Sequence, residues 1–227
     1  MADPRLREIA RTWSADLVIG DDVRGLAHVD AAQGPLVAVC NHLSYFDTTG
    51  TDTMLAQVGR GDIADRLVAV AGPKVWGTPF RRFATLSLST VPAPQSAAVG
   101  ADTSPRELTG RAMTAMSLAH RVMAEGCILL LYAEGTRTRT GRLRPFLRGA
   151  HRYLPLNGRV IPLAITGSER VYPIDVPRLT PRQVTLEFGP SYPVGADSRE
   201  SLRVAWDAVA ALLPPNYQPE VGTPPTV

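Results

Sequence analysis

A chain of 227 residues is long enough for one good core and short for two, and with 44% apolar and 20% charged residues it is neither disordered nor disulfide-stapled. Its net charge of +3 is modest, but Lys74 is the only lysine, so nearly all positive charge is guanidinium, which grips phosphate and carboxylate at two points. No apolar run approaches the ~18 to 20 residues of a membrane span, the opening residues lack the apolar core of a signal peptide, and Cys40 and Cys127 sit in apolar runs expected to be buried, which together predict a reducing, cytoplasmic setting.

In chain order, residues 4–15 (PRLREIARTWSA) space Leu6, Ile9, Ala10 and Trp13 as the stripe of a short amphipathic helix, with Arg5, Arg7, Glu8 and Arg11 elsewhere. Such a helix either packs on the domain or lies on an anionic bilayer. Residues 16–20 add a strand, and the segment to Gly34 reads as turn and loop. Leu36 to Cys40 is apolar without alternation, the mark of a strand buried on both faces, as in a parallel sheet. A polar corner follows, then a weak helix over 47–58. Leu67 to Gly72 is a second buried strand, a helix is expected near 80–86 with a short strand at 89–91, and the small polar residues 95–103 predict a mobile surface loop.

Ser104, Pro105 and Glu107 form a capping box with proline at the first helical position. The helix it opens runs to about Glu125, with Leu108, Ala112, Ala115, Met116, Ala119, Val122 and Met123 as its buried stripe and Gly126 as its stop. Cys127 to Ala133 is a third buried strand, Val160 to Thr166 a fourth, and the alternating stretch Gln183 to Phe188 an edge strand. A last helix spans 198–213, and the proline-rich residues 214–227 are expected to be disordered. The prediction is one α/β domain over 1–213, a mixed, mostly parallel sheet flanked by helices.

Two strand ends carry polar corners. In open α/β sheets ligands bind at the carboxyl ends of strands, where the first corner places His42. Asp47, five residues on, meets His42 only if the chain turns between them, with Asn41, His42 or Ser44 outside the helix. A carboxylate on one imidazole nitrogen fixes the tautomer and supports charge on the ring, leaving the other nitrogen to take a proton. The second corner, Glu134-Gly135-Thr136-Arg137, opens a run with six arginines between Arg137 and Arg152. Gly135 would let the backbone approach a ligand, Arg137 offers a fork for phosphate, and Arg148 stands before a glycine that opens a helix. A charge run is often just a solvated face, but with no interleaved aromatics other than Phe146 and Tyr153 and no known motif it speaks against nucleic acid and for anionic headgroups, donor phosphates or an acidic carrier. His28, His120 and His151 lack such company, and Cys40 reads as a buried filler.

Asn41-His42 with Asp47, then Glu134-Gly135-Thr136-Arg137, then Phe146-Leu147-Arg148-Gly149-Ala150, then Ile161-Pro162-Leu163-Ala164 resemble the ordered motif blocks of the glycerolipid acyltransferases, over roughly residues 20–195. The resemblance implies direct acyl transfer from acyl-CoA or acyl carrier protein, as co-substrate and with no cofactor or metal, to a hydroxyl of a lysophospholipid, with 1-acylglycerol 3-phosphate the acceptor expected. It makes His42 the general base and Asp47 its orienting partner. It assigns Asn41, Lys74, Glu134, Gly135, Thr136, Arg137 and Arg148 to substrate binding and puts Pro162 in a block that shapes the acyl or donor site. It also implies a cytoplasmic enzyme, peripheral on the inner face of the cell membrane. One block departs: where the family carries Gly-x-Ile-x-Val-x-Arg, this chain has Ser89-Thr90-Val91-Pro92-Ala93-Pro94-Gln95. A neutral amide in place of a guanidinium leaves the phosphate to Arg81, Arg82 or the 137–152 cluster, or points to a glycolipid or other hydroxylated acceptor. Two further alternatives are a lipid-binding protein without catalysis and an acyl hydrolase.

Overall fold

The computed structural model describes residues 2–72, 75, 82, 85–93, 104–176 and 178–223. Its centre is a strand, β3 (Leu36–Cys40), whose side chains are all buried because the sheet is covered on both faces. Val37 and Val39 enter one core, with Ala115, Met123, Leu202 and Val209. Leu36, Ala38 and Cys40 enter the other, with Met54, Leu55 and Ile63. An apolar run without alternation therefore feeds two cores at once.

Among the described residues the main sheet has eight strands. With β2 (Val23–Arg24), β4 (Leu67–Ala71), β5 (Ser89–Pro92), β6 (Ile128–Tyr132), β7 (Arg159–Thr166), β9 (Thr185–Phe188) and β10 (Tyr192–Pro193), its order is β2-β9-β7-β3-β6-β4-β5, and β10 also pairs with β7, while β1 (Val18–Ile19) and β8 (Arg182–Gln183) pair in a separate two-stranded sheet. β9 and β10 run antiparallel to β7; the other pairings are parallel. The register sets Cys40 beside Tyr132 and beside Leu163, so β3 and β6 end at one level, β7 runs on to Thr166, and the carboxyl ends of all three open on one edge.

Helices α1 (Pro4–Ala15), α2 (Leu26–Asp30), α3 (Asp47–Gln57), α4 (Gly61–Ala64), α5 (Pro105–Ala124), α6 (Ser168–Val171) and α7 (Ser198–Leu212) cover the sheet. The capping box opens α5 as expected: the Ser104 hydroxyl accepts from the Glu107 N–H, the Glu107 carboxylate from the Ser104 N–H.

Four expectations are corrected. The region before Gly34 holds β2 and α2 rather than only loop. β9 is not an edge strand, since β2 pairs outside it, and its alternation reflects one buried face, Leu186 and Phe188. Helix α1 forms, but rotated: Arg7 is buried and Arg11 largely so, while Ile9 and Trp13 are exposed. The reason is acidic partners that helical spacing cannot reveal. Arg11 donates from Nε and Nη2 to both oxygens of Asp52 (2.8 and 3.0 Å) and from Nη2 to Asp65 (2.8 Å), and Arg7 donates to the carbonyls of Asp65 and Ser87. Lastly, the chain beyond Pro214 is packed at its start, because Tyr217 has a core to enter and partners for its hydroxyl: it is 7% exposed, donates to Glu169 (2.7 Å) and accepts from the Gly167 N–H (3.2 Å). The loop expected at 95–103 lies outside the described residues.

Candidate active site

The chain leaves β3 into the corner 41–46 and enters α3 at Asp47. No side chain caps α3. Instead the Asp47 carboxylate reaches back and gathers the corner around itself, accepting from the Leu43 N–H (2.8 Å), the Ser44 N–H (3.0 Å) and the Ser168 hydroxyl (2.5 Å), with His42 Nδ1 at 2.8 Å. Asp47 is 1% exposed. With every donor aimed at it, a buried carboxylate can stay charged and hold Nδ1 protonated. That leaves Nε2 as the ring nitrogen not held by the carboxylate. The imidazole is also sandwiched from below by the Tyr132 ring (centroids 4.3 Å apart, planes at 27°), whose hydroxyl hydrogen-bonds Thr48 Oγ1 (2.9 Å). Burial holds the Tyr132 phenol well above its usual range, so it stays neutral beneath the ring.

The two corners do meet, as expected. Glu134 accepts from the His42 N–H (2.9 Å) and the Arg144 N–H (3.3 Å), and the Thr138 N–H donates to the His42 carbonyl (2.9 Å), so the second corner grips the histidine's peptide on both sides. Burial pushes the Glu134 carboxyl up to about 8, against the pull of those two N–H donors.

A cavity of about 860 Å³ opens at His42. Ala10, Trp13 and Ser14 of α1, residues 69–72, and Ala112 and Met116 of α5 form its largely apolar body. Gly135, Thr136, Arg137, Arg148 and Arg152 line its polar end. The Arg137 guanidinium lies 3.6 Å above the Tyr45 ring, a stacking that aims the fork and removes some of its freedom.

Some residues expected to touch substrate do not line this cavity. Asn41 is 1% exposed and clips β3 to β7, donating to the Ile165 carbonyl and accepting from the Ile165 N–H, both at 2.8 Å. Pro162 is buried in β7, within reach of Gly189 on the α7 side of the sheet. Glu134 is a staple between corners, whereas Gly135 does line the cavity, and its φ of +69° is the left-handed conformation that favours glycine. Asn41 and Glu134 thus hold backbone in this structure. Lys74, Arg81 and Gln95 lie outside the described residues. Cys40 is fully buried, and burial raises its thiol, in keeping with a packing role. Spacing alone missed Ser168 and Tyr45. Ser168 follows β7 at the same sheet edge, a position that could have marked it; Tyr45 sits inside the first corner itself.

Parts of the chain are similar to 1-acyl-sn-glycerol-3-phosphate acyltransferases: 31% identical over 72 residues (31% of this chain, 23% of the relative) to that of Cocos nucifera, and 33% over 88 residues (38% and 31%) to that of Limnanthes douglasii. A chloroplastic enzyme of this name from Brassica napus is 24% identical over 169 residues, 73% of this chain and 43% of the relative. The matches thus span less than half of each relative's length. The crystal structure of the 1-acyl-sn-glycerophosphate (LPA) acyltransferase PlsC from Thermotoga maritima shares the fold, with a TM-score of 0.60 at 19% identity over 91% of this chain and 74% of that one. The acyltransferase family profile matches residues 22–166, a span that takes in both corners and strands β3, β6 and β7. The chain belongs to the acyltransferase family.

Proposed function

We propose that this protein transfers a fatty acyl group from an acyl thioester, acyl-CoA or acyl carrier protein, to the free hydroxyl of a lysophospholipid, 1-acylglycerol 3-phosphate giving phosphatidate. The observation that carries the reading is the imidazole tied at Nδ1 to Asp47, at the mouth of a cavity apolar in its body and arginine-bearing at its end. His42 Nε2 takes the proton of the acceptor hydroxyl as its oxygen attacks the thioester carbonyl. The tetrahedral adduct then expels the thiolate, and the imidazolium returns the proton to that sulfur. The ester bond forms, the thioester bond breaks, and no acyl-enzyme intervenes. Arg137, braced by Tyr45, binds the acceptor phosphate. Trp13, which lines the cavity, and Ile9 are both exposed on α1 and suit contact with a membrane surface from which a lysolipid could enter. Among the described residues no helix is long and apolar enough to cross a bilayer.

Gln95, where the family carries arginine, favours a second reading: the same transfer to a glycolipid or other hydroxylated lipid. Thiol release from a palmitoyl thioester, measured with purified protein over a panel of lysolipids, separates the two. Release that requires 1-acylglycerol 3-phosphate and yields phosphatidate supports the first. Preference for an unphosphorylated acceptor replaces it with the second, release without any acceptor makes the protein a hydrolase, and no release with any acceptor makes it a binding protein.

A further inference from the structure

Beside the main cavity lies a second of about 170 Å³, lined by Arg148, Gly149, His151, Arg152 and Arg199. Arg148 and Arg152 come from the 3₁₀ turn Arg148–Tyr153, and Arg199 from the first turn of α7. His151 Nδ1 shares a hydrogen bond with Ser198 Oγ (2.9 Å), which ties the two segments together. Three guanidinium groups are gathered here, and none forms an ion pair with an acid among the described residues. Some arginines elsewhere are matched: on the same helix Arg203 pairs with Glu200 and Asp207, and Arg60 pairs with Asp30 and Asp62. Asp197 caps α7 by accepting from the Arg199 N–H (2.8 Å). Burial and the charges of Arg199 and Arg152 push His151 below its usual value, with Asp197 opposing them, an independent sign that positive charge is in excess. Like charges crowded in a concavity are a standing cost that a bound anion removes.

Arg148, Gly149 and Arg152 line both cavities, so an occupant of the small one is continuous with whatever fills the large one. The acceptor phosphate already has Arg137. We propose that Arg148, Arg152 and Arg199, with His151, form a second anion site that holds the phosphates of a nucleotide-bearing acyl donor, which makes the donor acyl-CoA. A concave site with three positive charges matches the compact, multiply charged phosphates of CoA better than the single phosphodiester on a carrier protein's arm, whose acidic surface asks for a broad face instead. The proposal rests on the acyl-transfer reading above and names its donor.

The test uses the full chain with Arg152→Gln, Arg199→Gln and the double variant, checked for unaltered thermal unfolding; Arg199→Glu is a further variant that needs no second change. Calorimetric titration with CoA and with pantetheine reads the site without any turnover. CoA should bind wild type more tightly than pantetheine does, and the double variant should lose about ten-fold in CoA affinity with pantetheine unchanged. In turnover, the Michaelis constant for palmitoyl-CoA should rise by about the same factor and that for palmitoyl-pantetheine should stay. Equal CoA affinity in wild type and variants overturns the proposal. So does a rise confined to the lysolipid's Michaelis constant, a loss seen only with an acyl carrier protein donor, or a loss of vesicle binding with donor kinetics intact. Because the titration involves no acceptor, it can succeed while lysophosphatidate acylation fails, and the converse, so the two readings fall separately.

Discussion

At the scale of single residues, the chemistry turns on how completely one buried carboxylate is satisfied. Asp47 receives the His42 ring, two backbone N–H groups and the Ser168 hydroxyl. His42→Ala removes the proposed base and its stacking on Tyr132, and turnover should fall by about 10² or more, since general-base contributions run at ~10² to 10⁴; an unfolding midpoint close to wild type separates this from collapse. Ser168→Ala removes one donor of four. Hydrogen bonds to charged groups contribute about 1.5 to 3 kcal/mol, so turnover should drop roughly ten-fold with the lysolipid Michaelis constant unchanged; full activity would mean that the backbone donors suffice. His42 and Asp47 were legible in the sequence because a strand's end, a turn and a five-residue spacing leave few other geometries. Ser168 was not, because its partner lies 121 residues away and nothing local announces such a bond.

At the scale of elements, side-chain partners decided what periodicity could not. The apolar stripe of α1 left its facing open, and the structure splits it, Ala10 buried with Ile9 and Trp13 exposed; Arg11 shows why, since its partner Asp52 is 2% exposed on α3, the helix that Asp47 begins. Removing one member of a buried pair leaves a stranded charge, only partly covered by Arg7 at 3.7 Å. Arg11→Ala should therefore destabilise by about 3 kcal/mol in denaturant unfolding, more than most exposed ion pairs contribute. The staple between the corners gives a pH signature. Glu134 has its pKa raised on folding, to about 8 from an ordinary 4.5, so the folded state holds a proton that the unfolded chain has lost. Stability from this group is greatest below about pH 4.5 and declines as pH rises towards about 8. Urea midpoints of wild type and Glu134→Gln across that window should converge at the acid end and separate in favour of the variant at the alkaline end; parallel curves would mean that the carboxyl titrates in its ordinary range. The strands were the most legible elements, since unbroken apolar runs bounded by glycine and polar corners admit little else. Helix facing was not, because four apolar residues in three turns leave rotation open to any acid that a neighbour supplies.

At the scale of the molecule, the sheet was readable as mixed and mostly parallel, yet its order β2-β9-β7-β3-β6-β4-β5 was not, because pairing partners come from distant stretches and similar apolar runs are interchangeable on paper. The end of the chain was misjudged for a related reason: a proline-rich segment signals disorder unless a side chain within it has a core to enter, and Tyr217 does. Its hydroxyl engages Glu169 and Gly167, the neighbours of Ser168. Truncation after Leu213 should thus cost activity as well as stability, with turnover lowered several-fold at temperatures where the shortened chain is still folded; a truncated protein of full activity would show the tail to be packing only. The parallel pairing of β3 with both β6 and β7 also has a temporal meaning. The histidine emerges from the ribosome early, but its peptide clamp follows about 90 residues later and the serine on its acid about 120 later. A nascent chain therefore carries the imidazole long before its surroundings are complete, and a chain ending between β7 and α6 would hold His42, Asp47 and Glu134 but lack the Ser168 hydroxyl on Asp47.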